Sequence, residues 1–515
     1  MSGAILLAGT ASDVGKSVLT AGVCRFLKRQ GVSVAPFKAQ NMALNAAVTI
    51  DGGEIGRAQA AQAAACGIPP ETAMNPILIK PTGDHRSQVV VMGRPAFDAG
   101  ARDYHRRRTA LLPAVLDALN GLKGRFDAVV CEGAGSAAEI NLRPHDLANM
   151  GLARAANMPV VLIADIDRGG ALASLYGTLA LLEPDDQALV AGFVINRFRG
   201  DPAVLEPGLE QLRQLTGRPC LGVLPHLNGL DFDAEDSLAL DRPLPSIAPL
   251  GSDSLEVSVV RLPRISNFTD VDALAAEPGV DVRFTTSTAD VRRADLVILP
   301  GTKNTVGDLA WLRETGLAQA ISDRAAVGGP ILGVCGGYQM LGRTIIDGIE
   351  SREGNATGLG LLPVATVFHE DKTLKIHSGS APGLGDMPAG GYSIRHGRPT
   401  VDGGKAWLRE ADGADEGCAV GPVWGTSWHG VLEHDEARRA FLSTVADAAG
   451  LDWKPGDGPF AAVREQRLDR LGDLIADHLD VNALETLLAD GPPADLPVAP
   501  PGGAPAPRAW TGENR

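Results

Sequence analysis

Short apolar runs alternate with longer amphipathic segments along most of the chain. The apolar runs of the first half are AILLAG (4–9), VSVAPFK (32–38), DAVVCEG (127–133), PVVLIAD (159–165), ALVAGFVIN (188–196) and CLGVLP (220–225). Segments between them have helical spacing, as in SVLTAGVCRFLKRQ (17–30). Buried β-branched runs that alternate with helices are typical of a parallel sheet covered on both faces. The pattern therefore predicts an α/β domain.

The alternation is interrupted near the middle of the chain. The stretch AEDSLALDRPLPSIAPLGSDS (234–254) is rich in Pro, Ser and Asp and has no period, which indicates a linker. A second alternating set follows, with SLEVSVVRL (254–262), VDVRFTT (280–286), ADLVILPG (294–301) and PILGVCGG (330–337). We predict two α/β domains, residues 1–233 and 254–447, separated by the linker 234–253. A helical extension (448–490) and a disordered tail rich in Pro, Ala and Gly (491–515) would follow.

Composition and charge narrow the class of protein. The length of 515 residues exceeds one ordinary core, and the net charge of −15 argues against a general nucleic-acid binder. None of the six cysteines forms a CxxC pair, so neither a zinc site nor a disulfide framework is expected. We find no signal peptide and no membrane span, and we expect a cytoplasmic protein.

The segment LLAGTASDVGKSVLTAG predicts a phosphate-binding loop. An apolar strand leads into a glycine loop, then Lys-Ser, then a helix, so that backbone N–H groups and a helix N-terminus face the phosphates. Thr10 and Gly15 occupy the two ends of the GxxxxGK[ST] pattern, and Lys16 would reach the β/γ-phosphates of ATP. Ser17 would hold Mg²⁺. The form GTxSxxGKS resembles dethiobiotin-synthetase-like ligases, which use ATP to activate a carboxylate.

Other candidate nucleotide-site residues follow predicted strands. Lys38 comes after VSVAPF and is expected to neutralise phosphate. Glu132 opens EGAG after DAVVC, where a carboxylate can bind Mg²⁺. Asp51, in TIDGGEIG, is a further metal candidate. Because open α/β sheets bind ligands at the carboxyl ends of their strands, these positions are expected to share one site.

The run ILGVCGGYQMLG places Cys335 in a G-x-C-x-G pattern between a predicted strand and a predicted helix. This is the strand–nucleophile–helix elbow with cysteine in place of serine. The helix N-terminus would favour the thiolate, and the N–H of Gly336 would stabilise an oxyanion. A second oxyanion donor is expected from LPGTKNT, at Gly301 or Thr302.

A cysteine nucleophile requires a base, and VWGTSWHGVLEH supplies His429. His434 is the weaker alternative, because it opens a solvated helical segment. Cys335 and His429 together predict glutaminase chemistry.

These motifs resemble a class I glutamine amidotransferase domain, of flavodoxin-like fold, behind a dethiobiotin-synthetase-like ATPase. The fusion resembles the cobyric acid synthase family. The stretches that carry the resemblance are PFKAQNMALNA (36–46), RAQAAQA (57–63), NPILIKPTGDHRSQVVVMG (75–93), CEGAGSAAEINL (131–142), ADIDRGGALASLYGTLALL (164–182), INRFRGD (195–201) and LPGTKNT (299–305).

The resemblance implies a reaction and its cofactors. MgATP and L-glutamine would be used to amidate the b, d, e and g carboxylates of adenosylcobyrinic acid a,c-diamide, with Cys335 and His429 as the catalytic pair. Cobyrinic acid a,c-diamide synthase is the alternative enzyme, and a ParA/MinD-like nucleotide switch is a remote alternative. No nucleic-acid or membrane partner is expected, and the oligomeric state is left open, a homo-oligomer included.

Two departures from the family pattern concern the second site. Many triad glutaminases carry an acid two residues after the histidine, but that position is Val431 here. Glu433 would orient His429 instead, or the pair would work as a dyad. Ser393, in GYSIRHG, stands where an acid is common. The residues expected to face the polycarboxylate substrate are basic or amide side chains: Lys80, Arg86, Gln88, Arg143 and Arg168.

Overall fold

A computed structural model of the chain describes residues 3–83, 86–227, 240, 244, 246–351 and 354–500. Within these residues the predicted fold class is confirmed, because two α/β units are each built on a six-stranded sheet. Each apolar run predicted above as a strand contains an observed strand. No helix of the described residues is long and apolar enough to cross a membrane.

The first domain contains twelve strands in the described residues. They are β1 (Gly3–Gly9), β2 (Val34–Phe37), β3 (Gln40–Met42), β4 (Ala46–Val48), β5 (Glu54–Gly56), β6 (Ile77–Gly83), β7 (Arg86–Val91), β8 (Arg94–Ala99), β9 (Ala128–Ser136), β10 (Val160–Asp165), β11 (Val190–Phe198) and β12 (Cys220–Pro225). The main sheet is parallel, in the order β12-β11-β10-β1-β9-β2. Its central strands are almost wholly buried because helices cover both faces. The segment between β2 and β9 adds a second sheet, β3-β6-β7-β8, and the hairpin β4–β5.

The helices of this domain lie between the strands. They are α1 (Lys16–Arg29), α2 (Arg57–Cys66), α3 (Ala101–Arg107), α4 (Leu112–Lys123), α5 (Met150–Ala156), α6 (Ala171–Leu181), α7 (Pro184–Gln187) and α8 (Pro202–Thr216). α8 shows why they begin and end where they do. Asp201 caps its first turn by accepting from Ala203 N, Pro202 takes the first helical position, and Gly217 closes it in the left-handed region.

The second domain repeats the layered architecture with a different strand set. Its strands are β13 (Leu255–Val260), β14 (Ile265–Ser266), β15 (Val280–Thr285), β16 (Leu296–Leu299), β17 (Gly301–Thr302), β18 (Ile331–Val334), β19 (Thr344–Asp347), β20 (Gly354–Thr357), β21 (Val364–Ala381), β22 (Met387–Val401), β23 (Leu408–Glu410), β24 (Asp415–Glu416), β25 (Cys418–Val420) and β26 (Val423–Thr426). The main sheet runs β15-β13-β16-β18-β26-β25 and is parallel except for the edge strand β25. A second sheet, β20-β19-β21-β23-β24 with β22 paired to β21, was not predicted.

The helices of the second domain are α9 (Asp272–Ala275), α10 (Thr288–Arg293), α11 (Thr305–Glu314), α12 (Leu317–Ala326), α13 (Gly336–Leu341) and α14 (Asp435–Ala449). β18 and β26 lie side by side at the centre of the sheet, with Val334 opposite Thr426. Because both strands end at the same edge, the residues that follow them, Cys335 and the 427–430 turn, meet there.

The C-terminal extension returns to the first domain. Its helices α15 (Phe460–His478) and α16 (Val481–Asp490) place Leu471 and Leu484, respectively, in the same apolar core as Ile5 and Leu19. The buried guanidinium of Arg25 on α1 pairs with two carboxylates of α15, Glu465 at 2.6 Å and Asp469 at 2.8 Å. The predicted helical extension is therefore part of the first domain's core.

The predicted disorder of the tail is wrong for residues 491–500. Ala499 is 1% exposed, and its N–H donates to the Gln187 side chain at 2.8 Å. The carbonyl of Pro497 accepts from Arg218. Buried donors of the first domain thus bind the backbone of a Pro-rich segment that has no core of its own. Residues 228–233 of the predicted first domain, residues 234–239, 241–243 and 245 of the predicted linker, and residues 501–515 lie outside the described residues.

Candidate active site

The predicted phosphate loop connects β1 to α1. Gly15 has a φ of +95°, which favours glycine, and a Cβ placed on it would lie 2.1 Å from Asn196 Nδ2. That amide donates to Val14 O at 2.9 Å and so fixes the loop. The N–H of Thr10 donates to Ile163 O at 2.9 Å, so Thr10 extends the sheet at the base of the loop.

Lys16 is folded across this loop. The residue is buried, with 7% of its surface exposed. Its ammonium donates to Ala11 O at 2.9 Å and to Gly135 O at 3.1 Å. Ala11 follows β1 and Gly135 is near the carboxyl end of β9, so the charge lies where the carboxyl ends of the two strands meet. A nucleotide phosphate bound by the loop would face this cation.

Glu132 is the centre of the polar network beside the loop. Its carboxylate is buried and accepts from Ser17 Oγ at 2.8 Å, Lys38 Nζ at 2.9 Å and Gln62 Nε2 at 2.6 Å. Burial by itself would raise the pKa of Glu132, but the Lys38 charge and these hydrogen bonds offset it and lower the pKa below its usual value. An ionised carboxylate next to a serine hydroxyl fits the oxygen ligands that Mg²⁺ prefers.

Two findings at this site differ from the sequence expectations. Gln62, which also donates to Ser17 O at 3.4 Å, had no predicted role, and only its place in the RAQAAQA stretch pointed to it. Asp51 is not brought to Ser17 and Glu132. Its carboxylate accepts from the N–H of Thr72 at 3.2 Å and from the hydroxyl at 2.6 Å, because it orders the turn before β6.

The residues predicted to face the substrate separate into distinct places. Arg86 and Gln88 line a cavity of about 470 Å³ between the two domains. Arg168 is exposed and pairs with Asp13 of the phosphate loop at 3.0 Å. Arg143 is instead held by the buried Asp186 through two contacts of 2.6 Å, which is a structural pairing.

Lys80 lies in a buried charge cluster between the domains. The carboxylate of Glu54 accepts from Lys80 at 2.8 Å and also from Lys372 of the second domain. Burial lowers the pKa of Lys372 to about 7, against the attraction of Glu54. Burial alone would raise the pKa of Glu54, but the two lysines hold it below its usual range. The cluster joins two sheets of the first domain to one sheet of the second.

Cys335 occupies the predicted elbow between β18 and α13. Its φ of 51° and ψ of −107° are unusual for a residue with a side chain, as expected of a strained nucleophile turn. The N–H of Cys335 donates to Thr426 O at 2.8 Å. A Cβ on Gly337 would lie 1.9 Å from Leu299 O, so this glycine lets the turn pack against the end of β16.

The predicted oxyanion donors surround this elbow. A Cβ placed on Gly336 would lie 3.0 Å from Thr302 N, and one placed on Gly301 would lie 2.9 Å from His429 Cε1. The LPGTKNT loop and the start of α13 therefore face each other across the site. Which N–H completes the oxyanion hole with Gly336 stays a prediction.

His429 is brought to Cys335, and its orienting acid is one that the sequence did not reveal. The two side chains line one cavity. His429 Nδ1 lies 2.7 Å from Asp270 Oδ2, and the other oxygen of Asp270 accepts from Gly430 N at 2.8 Å. Asp270 lies 159 residues before His429, in SNFTDVD, where no motif marks it.

The prediction that Glu433 orients His429 is wrong. Its carboxylate instead pairs with Arg57 of the first domain at 2.9 Å and with Arg464 of α15 at 3.1 Å. Asp270 instead takes the orienting position beside His429. Glu433 ends a short helix, Val431–Glu433, that follows Gly430.

Electrostatics favour a protonated His429. Burial would lower the pKa of His429, but the charges of Asp270 and Cys335 and their hydrogen bonds offset it and raise the pKa to about 10. An imidazolium at neutral pH stabilises a neighbouring thiolate. The side chains of Cys335, His429 and Asp270, called the trio below, thus favour attack of the cysteine thiolate on an amide.

Ser393 belongs to a buried network of polar side chains next to the turn that carries His429. Its hydroxyl lies 2.8 Å from His377 Nε2, and His377 Nδ1 lies 2.7 Å from Glu410 Oε1. Ser393 is 0% exposed, so this arrangement supports the Ser427–His429 turn and does not present a nucleophile.

Comparison with known proteins assigns each domain to a family. Residues 5–238 match the CobQ/CobB/MinD/ParA nucleotide binding domain family, and residues 256–437 match the CobB/CobQ-like glutamine amidotransferase domain family. Fold and site together define a nucleotide-binding unit joined to a glutamine amidotransferase domain.

Proteins with high sequence identity to this chain show which family within this class it belongs to. A cobyric acid synthase of Frankia casuarinae is 57% identical, with 98% of this chain and 100% of that protein covered. One from Streptomyces avermitilis is 56% identical with the same coverage, and one from Rhodococcus jostii is 55% identical over 96% of this chain and 97% of that protein. The chain belongs to the cobyric acid synthase family of glutamine-dependent amidating ligases.

Proposed function

We propose that this chain converts the b, d, e and g carboxylates of adenosylcobyrinic acid a,c-diamide to amides, giving adenosylcobyric acid, with ATP and L-glutamine as co-substrates. The family supports the choice of acceptor. The observation that carries the chemistry is the presence in one chain of the Cys335–His429–Asp270 trio and of the Lys16–Ser17–Glu132 network.

Nitrogen is released in the second domain. The Cys335 thiolate attacks the carboxamide carbon of glutamine, and the oxyanion that forms faces the N–H of Gly336. The His429 imidazolium gives its proton to the departing nitrogen, so ammonia leaves and a glutamyl thioester remains. His429 then takes a proton from water, which attacks the thioester and releases glutamate and the free cysteine. Asp270 keeps the imidazole in one tautomer throughout.

The amide is formed in the first domain. A carboxylate of the acceptor attacks the γ-phosphorus of ATP, which releases ADP and leaves an acyl phosphate. Ammonia attacks the acyl carbon, phosphate leaves, and one ATP is used for each amide. Lys16 and Lys38 are placed to neutralise phosphoryl charge. Ser17 and Glu132 would hold Mg²⁺, which supplies charge neutralisation on the phosphates when bound.

The residues that contact the acceptor remain predictions. Arg86 and Gln88, on the cavity between the domains, are supported by their position, and Lys80 lies next to the glutaminase pocket. All six cysteines are free, which fits a reducing compartment, and we place the protein in the cytoplasm.

One assay tests this function against the alternatives. The purified chain with MgATP and glutamine receives either cobyrinic acid a,c-diamide in its adenosylated form or cobyrinic acid, and product masses are followed in time. Four successive amidations of the a,c-diamide are expected. Amidation confined to the a and c positions of cobyrinic acid would identify an a,c-diamide synthase, and ATP hydrolysis without any amide would favour a nucleotide switch.

A further inference from the structure

The glutaminase pocket is closed by the first domain. The cavity around Cys335 and His429 is lined mainly by second-domain residues, but Leu44 and Lys80 of the first domain complete its wall. Leu44 belongs to the QNMALNAAV segment, which leads from β3 into β4. This segment therefore lies next to the chemistry of the other domain.

The loop that carries Asp270 has an unusual local conformation. Asn267, three residues earlier, is 3% exposed and adopts a left-handed φ of 51°. Its carbonyl accepts from Asp270 N at 3.1 Å. Its side-chain Nδ2 donates to the hydroxyl of Tyr392 at 3.2 Å, and the Tyr392 ring stacks on His429 with centroids 5.4 Å apart. Asn267 thus connects both members of the His429–Asp270 pair.

Two reciprocal hydrogen bonds attach this loop to the first domain. Ala46 N donates to Asn267 Oδ1 at 3.0 Å, and Phe268 N donates to Asn45 Oδ1 at 3.3 Å. Asn45 is 1% exposed, so neither bond competes with water. Buried amides in such a pair fix a loop because each lost bond leaves a polar group unsatisfied.

The attachment point in the first domain is itself firmly held. The carbonyl of Asn45 accepts from Arg57 N at 3.0 Å, at the first residue of α2. The same helix carries Gln62, which binds Glu132 at 2.6 Å in the nucleotide site. The backbone of Asn45 is therefore fixed by α2 of the first domain, while its side chain binds the second domain.

We propose that Asn45, in the synthetase domain, is a positioning residue for glutamine hydrolysis in the other domain, where it holds the Asn267–Asp270 loop against His429. The proposal rests on the glutaminase function assigned above. Asn45 belongs to the QNMALNA stretch, and it is part of neither the nucleotide site nor the Cys335 elbow.

The test compares full-length variants with glutamine and with ammonium as nitrogen source. Asn45→Ala is expected to lower kcat for glutamine about five- to tenfold, the effect of one buried hydrogen bond on an oriented catalytic group. Its KM for glutamine should change by less than about twofold, and ammonium-dependent amidation should be unchanged. The alkaline limb of the glutamine pH profile should move to lower pH, because a looser Asp270 supports the imidazolium less well.

A second variant and a matched control keep the outcome interpretable. Asn267→Gly keeps a backbone that glycine adopts freely but removes the amide, and it should show the same selective loss. Asn41→Ala removes another buried amide of the first domain, one that donates to Gln59 at 2.8 Å, and should leave glutamine hydrolysis unchanged.

Three results would overturn the proposal. They are wild-type glutamine kinetics and pH profile in Asn45→Ala, an equal loss with ammonium, or an equal loss of glutamine hydrolysis in Asn41→Ala. If the wild-type chain hydrolysed no glutamine, the proposed function itself would fail, which is a distinguishable result.

Discussion

Replacement of Asp270 by Asn should impair the use of glutamine selectively. The carboxylate binds two donors at once, His429 Nδ1 at 2.7 Å and Gly430 N at 2.8 Å. An Asn side chain has one acceptor oxygen, so its NH₂ group must face one of these donors. The imidazole then loses its orientation or takes the other tautomer, which cannot serve Cys335.

The size of the effect follows from the kind of bond that is lost. Hydrogen bonds to charged groups contribute about 1.5–3 kcal/mol, which corresponds to a decrease of about 10- to 150-fold in kcat/KM for glutamine. The pH dependence should change as well. Asp270 helps to raise the pKa of His429 to about 10, so its removal lowers that pKa and the imidazolium is lost at lower pH. The alkaline limb of the profile should therefore move to lower pH.

The assay measures glutamate release and amide formation with glutamine, and amide formation with ammonium. Amidation with ammonium should stay within about twofold of the wild-type rate, because Asp270 does not contact the nucleotide site. Glu433→Gln is the matched control, since Glu433 pairs with Arg57 and Arg464 and not with His429. Partly exposed ion pairs contribute about 1 kcal/mol or less, so this variant should lose less than about fivefold. Normal glutamine kinetics in Asp270→Asn, or a larger loss in Glu433→Gln, would refute the assignment.

Three further predictions concern the nucleotide site, the elbow and the domain interface. Lys16→Ala should abolish amidation with both nitrogen sources, measured by product mass, and survival of ammonium-dependent amidation would contradict its role. Gly337→Ala should destabilise the fold in thermal melts, because its Cβ would lie 1.9 Å from Leu299 O. Gly121→Ala is the control, because Gly121 lies in a helix and its Cβ would have no atom within 4 Å. This variant should stabilise the fold by about 0.5–1 kcal/mol. The free energy of unfolding should rise between about pH 7 and pH 10, because Lys372 binds its proton less tightly in the folded chain (pKa about 7) than in the unfolded one. Lys372→Met should flatten that rise, and an unchanged slope in denaturant titrations would argue against the pKa shift.

The sequence predicts those parts of the molecule that are marked by a pattern within a short stretch of residues. Central strands of the two main sheets, such as β1, β10, β16 and β18, are continuous apolar runs, because both faces are buried. The elbow at Cys335 and the loop at Gly15 each place glycine where the backbone is forced into an unusual turn or a close approach. A reader of the sequence alone can therefore place the nucleophile and the phosphate loop.

The parts that were missed depend on contacts between distant segments. Asp270 reaches His429 only because the segment before α9 contacts the turn that follows β26, and nothing in SNFTDVD marks that position. Glu433 is the acid close to His429 in the sequence, but its side chain pairs with Arg57 instead. The tail at Ala499 is ordered by Gln187, a donor and acceptor more than 300 residues away. Composition alone does not reveal such pairings.

The central claim is that a thiolate in the second domain supplies nitrogen to a carboxylate activated in the first. The most direct measurement is amide formation by full-length Cys335→Ala with MgATP and adenosylcobyrinic acid a,c-diamide, supplied with glutamine or with ammonium. We expect no amide from glutamine and a nearly normal rate from ammonium. Amide formation from glutamine at the wild-type rate would contradict the account.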